Sequence, residues 1–350
     1  MSRLRRFFLF LVVVLSFLSP PAGFAHENYV LPQENIDRGM NDWSVNVFDA
    51  LRDPHNLAIS LSVAGILFVV FVLYYFFFSS KLGILIDRKV RRLEPIGHAL
   101  LRIALGVSFL ASAYFSSYLG PELPLSSLPL GALLRPVLFV TGVLLIFGFL
   151  TKIAGALGLI TMLLSAVVYK DYMLSYLNYF GVCAAFFLFG SRAFSIDHYI
   201  FKTSSAFREK WREWELPLVR VTYGISILYP AIVVKLLHPS IILEIVEKYH
   251  MDQISWLFPS DPLLISLGTG LAQIVVGICI IVGFETRLNA LATFVLYLLS
   301  VLFFQEAVWP HYILLALAFY LVVNDGGGWS VDGAIEKRGF KRLFLQKAAS

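Results

Sequence analysis

Nine apolar stretches run through this chain, each near the roughly 20 residues that a helix needs to cross a bilayer core. They cover about residues 56–78, 97–119, 131–150, 153–169, 173–190, 217–237, 263–284, 288–304 and 310–323. Apolar residues make up 58% of the chain and charged ones only 15%, against about 25% charged in soluble domains. A water-soluble globule cannot hide that much apolar surface, so the spans predict an all-α, polytopic integral membrane protein. Its expected plan is about nine transmembrane helices, one lone helix followed by four and then four.

The ends carry topology signals. Arg3, Arg5 and Arg6 precede an apolar run from Phe7 to Leu18 and small residues up to Ala25, the pattern of a cleaved export signal over residues 1–25. Residues 26–55 are polar and acid-rich and read as an extracytoplasmic segment. Residues 56–94 hold the lone helix and a basic cytoplasmic loop, 95–200 and 217–335 the two four-helix units, 201–216 a linker, and 336–350 a tail. With the mature amino end outside, seventeen Lys and Arg fall in inside loops and five outside. The positive-inside rule therefore puts the carboxyl terminus in the cytoplasm of a cell with this protein in its plasma or inner membrane. The net charge of +5 sits in short tracts beside apolar runs, which argues against a nucleic-acid partner and names the lipid bilayer instead. Cys183 and Cys279 are isolated in apolar helices without metal or dithiol spacing.

The last eight spans repeat. An offset of 135 residues aligns Gly142, Gly148, Phe149, Thr151 and Lys152 with Gly277, Gly283, Phe284, Thr286 and Arg287, and Ser195 and Asp197 with Ser330 and Asp332. In the opening helix of each unit an offset of 118 pairs Arg102, Gly106 and Ser108 with Arg220, Gly224 and Ser226. Four spans per unit make the copies parallel rather than inverted repeats.

These units resemble the DoxX family of small four-helix membrane proteins, here in tandem behind an extra helix. The resemblance rests on the Arg-x-x-x-Gly starts, the Gly-Phe-x-Thr-Lys/Arg turns and the closing Ser-x-Asp, over about two-thirds of the chain. It implies a bundle of short helices and, from some relatives, partnership with oxidoreductases that oxidise sulfur compounds and pass electrons to quinone. The family's lysine at the end of its first helix is matched by Lys235 in the second unit and replaced by Ser117 in the first. Its glutamate position reads Gln273 and Leu138.

Ionisable groups within a bilayer are costly and each needs a reason. Arg102 and Arg220 lie near the cytoplasmic face, where they can snorkel and where an interfacial or structural role competes with ligand binding. Arg135 and Lys235 lie in the outer half, each able to hold an anion or a headgroup. Gln273 is deeper and calls for a partner on another helix. His26 would be the first mature residue and a candidate copper ligand. No catalytic motif accompanies these residues, and the expected function is an accessory subunit of a membrane redox system, with quinone as candidate cofactor and an extracytoplasmic or membrane oxidoreductase as partner. A transporter of a small molecule or lipid and a membrane assembly factor for an exported partner are the alternatives.

Overall fold

The computed structural model describes residues 31–128, 130–192, 194–201, 211–251, 259–303 and 309–337. Residues 1–25, read from sequence as an export signal, and His26 lie outside the described residues. Within them the chain is helical, its lone β-bridge joining Ser117 and Pro124.

Helix α1 (Gln33–Asn41) and a 3-10 turn (Val47–Arg52) lead into α2 (Pro54–Ser79), which starts on an Asp53 side-chain cap with Pro54 in its first turn. The short α3 (Lys81–Arg91) follows. The first unit is α4 (Glu94–Phe115), α5 (Gly131–Phe147), α6 (Thr151–Tyr169) and α7 (Leu177–Phe189), closed by α8 (Ile196–Phe201). The second opens with α9 (Glu215–Pro230), which runs on as a π-helical segment over Ala231–Leu237. After α10 (Pro239–Tyr249) come α11 (Pro262–Val282), α12 (Thr286–Phe303), α13 (Trp309–Asn324) and the closing α14 (Val331–Lys337).

Among the described residues, five helical runs are long and apolar enough to cross a membrane: Pro54–Phe78, Glu94–Phe115, Thr151–Phe189, Arg212–Leu237 and Pro262–Val282. The nine crossings expected from sequence are thus not matched by length. Gly131–Phe147, Thr286–Leu302 and Trp309–Asn324 are apolar but short, and 17 residues give α5 only about 25 Å. The 39-residue run Thr151–Phe189 folds back on itself at Lys170, which has φ +47°, so that α6 and α7 pack together. A Cβ on Gly155 would lie 2.5 Å from the Phe187 nitrogen, so glycine sets this close approach.

The units are built alike and interlocked. Within each, the first two helices cross at paired glycines, Gly106 with Gly142 and Gly224 with Gly277. Between them, α4 packs on α13 and α9 packs on α7, so each opening helix lies against the other unit's closing helix. One apolar core results, running from Phe109, Leu138 and Cys183 to Tyr223, Ile280 and Leu317.

Within residues 26–55, read from sequence as an extracytoplasmic segment, the described part from Leu31 onward is partly buried. Leu31 and Ile36 pack with Ile241, Ile242 and Ile245 of α10 and with Ile265 of α11, while Val47 and Ala50 pack on Leu264 and Leu267. This crown covers one end of the second unit. Asn56 ties it down, donating to the Ala50 carbonyl at 3.0 Å and to Asp261 at 2.5 Å. The opposite end carries Arg88, Lys89, Lys152, Arg192 and Arg287 and is called here the basic end.

Candidate functional site

At the basic end the repeated motifs form the same knot twice. Arg102 is 1% exposed. Its Nη1 donates to the Leu145 carbonyl at 2.9 Å and Ile146 at 3.3 Å, and its Nη2 to Phe194 at 2.7 Å. Leu145 and Ile146 lie in the last turn of α5, where carbonyls lack their regular helical donors, and Phe194 lies between α7 and α8. Arg220, at the equivalent place, donates from Nη2 to the Trp329 carbonyl at 2.6 Å. Each guanidinium lies against the glycine that ends the next helix, Gly148 at φ +64° and Gly283 at φ +69°. A side chain there would both clash and strain the backbone.

The carboxylates complete the knot. Asp197 accepts from the Leu150 and Thr151 nitrogens at 2.8 and 2.9 Å, and Asp332 from Glu285 and Thr286 at 2.7 and 2.9 Å. Ser195 and Ser330 bond back to the carbonyls of Arg192 and Gly327. Arg102 and Arg220 therefore do not snorkel. They, with the Gly-Phe-x-Thr turn and the Ser-x-Asp, fasten helix ends together.

Two features break the symmetry. Arg192 in the first unit corresponds to Gly327 in the second, and Glu94 to Arg212. Arg192 bridges Glu94 at 2.6 Å and Glu215 at 2.5 Å, while His98 lies 3.5 Å from Glu215 and meets the Tyr320 ring edge-on. Burial works against the Arg192 charge, but the Glu215 and Glu94 carboxylates outweigh it and raise its pKa. Beside this cluster a cleft of about 480 Å³ opens between the units, lined among others by Arg91, Arg192, Arg212, Glu215, Asn324 and Gly327. Sequence reasoning missed this cluster, since its members come from four separate stretches of chain.

The second break is at the crown end. Pro230 takes the place of Ser112, and having no N–H it cannot close the helical bond to the Ser226 carbonyl. From there the helix widens into the π segment that carries Lys235, whereas α4 ends at Phe115, with Ser116 left-handed. The Lys235 carbonyl accepts from Ser266 at 2.9 Å, and a Cβ on Gly270 would lie 3.2 Å from the Lys235 Cβ. Gln273 follows Gly270 by three residues on the face of α11 that packs on α9, and its Oε1 is buried with no hydrogen-bond partner among the described residues.

Of the five candidates, only Lys235 and Gln273 come together on facing helices. Arg102 and Arg220 are at the other end. Arg135 is exposed on α5 and donates from Nε to the Ala113 carbonyl at 2.9 Å. A further polar group went unnoticed in sequence: Asn178 is 1% exposed, and neither carboxamide atom has a partner among the described residues. It precedes Gly181 by three residues on the face of α7 where Gly181 abuts Thr222 of α9. In the crown, burial lowers the pKa of His238, whose ring meets Trp43 edge-on with centroids 4.3 Å apart. No group of three or more His, Cys, Asp and Glu residues arranged to hold a metal occurs among the described residues.

No family model, curated protein or solved structure matches the chain.

Proposed function

We propose that the chain is a DoxX-like membrane protein of two fused four-helix units, acting as an accessory subunit of a membrane redox system. On this reading it crosses the membrane nine times, with the crown outside and the basic end in the cytoplasm. The second unit holds the ligand, a quinone or a similar lipid-soluble carbonyl compound, and an oxidoreductase is the partner. The observation that carries the reading is the Gln273 carboxamide oxygen, buried without a partner among the described residues beside the π segment that bears Lys235. An orphaned buried acceptor of this kind costs about 1 to 3 kcal/mol, so its retention needs a return elsewhere. The orphaned Gln273 oxygen accepts from the hydroxyl of the reduced quinol. The amide N–H groups of Gln273 and the ammonium of Lys235 donate to the carbonyl of the oxidised quinone, and the first unit has Leu138 and Ser117 in their places.

The test is titration of a quinone analogue into the detergent-solubilised protein, followed by thermal shift. Lys235→Met is expected to weaken binding by roughly ten-fold or more, the worth of a hydrogen bond to a charged donor. Gln273→Leu should weaken binding less while raising the melting temperature of the ligand-free protein. Ser117→Ala serves as the first-unit control. Unchanged affinity in both second-unit variants overturns the site. A reporter fused to the carboxyl terminus and active only outside the cytoplasm would overturn the orientation.

The cleft beside Gly327 favours transport as the second reading, because parallel repeats place substrate sites at their interface. Solute uptake into liposomes that is abolished by Arg212→Gln would support it over the first.

A further inference from the structure

Helix α3 turns away from α2 at a corner that only glycine permits: a Cβ on Gly83 would stand 2.5 Å from the Phe78 Cα. Two ion pairs then pin α3 to the basic end of the second unit, Asp87 with Arg287 and Arg91 with Asp325, the latter at 2.5 Å. They engage the one acid of α3 and one of its arginines. Lys81, Arg88, Lys89 and the adjoining Arg92 stay exposed, with no ion-pair partner among the described residues.

The same outward face carries large apolar side chains. Leu82 is 56% exposed and Leu85 47%, and they follow the exposed Phe76 and Phe77 of α2. Apart from Lys81 at its start, apolar groups thus fill the half of α3 nearest α2, and cations gather in the other half. Exposed aromatic residues collect at this end of the bundle, Tyr199 and Phe201 on α8 and the half-exposed Trp214 stacked on Trp329 at 4.7 Å. Tyrosine and tryptophan concentrate at headgroup depth in membrane proteins.

We propose that α3 is a binding surface for anionic phospholipid. Leu82, Ile84 and Leu85 enter the boundary between acyl chains and headgroups, and Lys81, Arg88, Lys89 and Arg92 hold negatively charged headgroups. Because Asp87 is spent inside the chain, the face has the charge sign that complements such lipids and excludes a preference for zwitterionic ones. This inference rests on the membrane reading alone and is independent of the redox proposal.

The experiment titrates pyrene-labelled phosphatidylglycerol, and phosphatidylcholine with the same label, into the full chain in detergent at low salt. Wild type should favour phosphatidylglycerol by roughly ten-fold or more, at about five-fold per well-placed cation. The triple variant Arg88→Gln, Lys89→Gln, Arg92→Gln should lose most of that preference at an unchanged melting temperature, and so should wild type in strong salt. A control with the same charge change in the crown, Arg38→Gln, Arg52→Gln, Lys248→Gln, should keep it. Equal affinity of wild type for the two lipids overturns the proposal, as does a full preference in the α3 variant or an equal loss in the crown control.

Discussion

Arg102 and Arg220 stand at equivalent places in the two units, yet Arg102 donates three hydrogen bonds to carbonyls and Arg220 donates one. The contrast widens away from the basic end. The first unit ends α4 regularly and closes its far side with Tyr118, Leu119 and Leu123, all buried. In the second, the helix breaks at Pro230, carries Lys235 on the π segment and leaves its far side to the crown. A duplicated unit has kept the knot that folds it in both copies and relaxed it in the copy that departs most from a regular bundle. The knot residues recur, whereas Arg192, Lys235, Asn178 and Gln273 each occur in one unit alone.

Breaking the knots should rank them. Arg102→Met strips the donors from buried carbonyls and is expected to cost about 3 to 5 kcal/mol, against about 1.5 to 3 for Arg220→Met, read from denaturation in mild detergent. Equal losses would mean that the second knot is as tight as the first. Exchanging the helix breakers comes next. Ser112→Pro in the first unit should destabilise by about 3 kcal/mol, while Pro230→Ser should change stability by less than about 1 and swing Lys235 to a new face, detectable as an altered rate of amine labelling. Asp197→Ala and Asp332→Ala should each cost about 1 to 2 kcal/mol, alike in the two units, since both carboxylates cap the same helix start.

The smallest effect concerns pH in the crown. Hydrogen bonds from Ser240 and Ser44 pull the Asp42 carboxyl down to about 2. An unfolded aspartate titrates near 3.9, so this bond's contribution is complete above about pH 4 and is lost as the pH falls toward 2. Melting curves recorded between those limits should slope more for wild type than for Asp42→Asn.

Much of the duplicated bundle was legible because glycines, caps and basic turns recur at one offset, and a motif that holds backbone together must repeat wherever the backbone does. The role of Arg102 was legible only in outline. Its position allowed an interfacial or structural role, and only the end of α5 and Phe194 beyond α7, distant in sequence, supply the carbonyls that hold it inside. Helices α3 and α10 escaped notice because hydropathy finds long apolar runs, and both are short and carry charge. The cluster of Glu94, His98, Arg192 and Glu215 was hidden for a related reason: each looks like an ordinary loop or helix-end charge until α4, α7 and α9 converge. Gln273 was singled out because an amide deep in an apolar span is conspicuous, while Asn178, between Tyr176 and Tyr179 near the start of α7, was overlooked.

Reciprocal packing of α4 on α13 and of α9 on α7 means that neither unit encloses its own core. The connection between α8 and α9 keeps the two halves on one chain, so each is present at a high local concentration for the other. Nicked within this connection, the chain should behave as a heterodimer whose halves purify together, and either half made alone would meet its own copy with the wrong residues at Arg192 and Gly327.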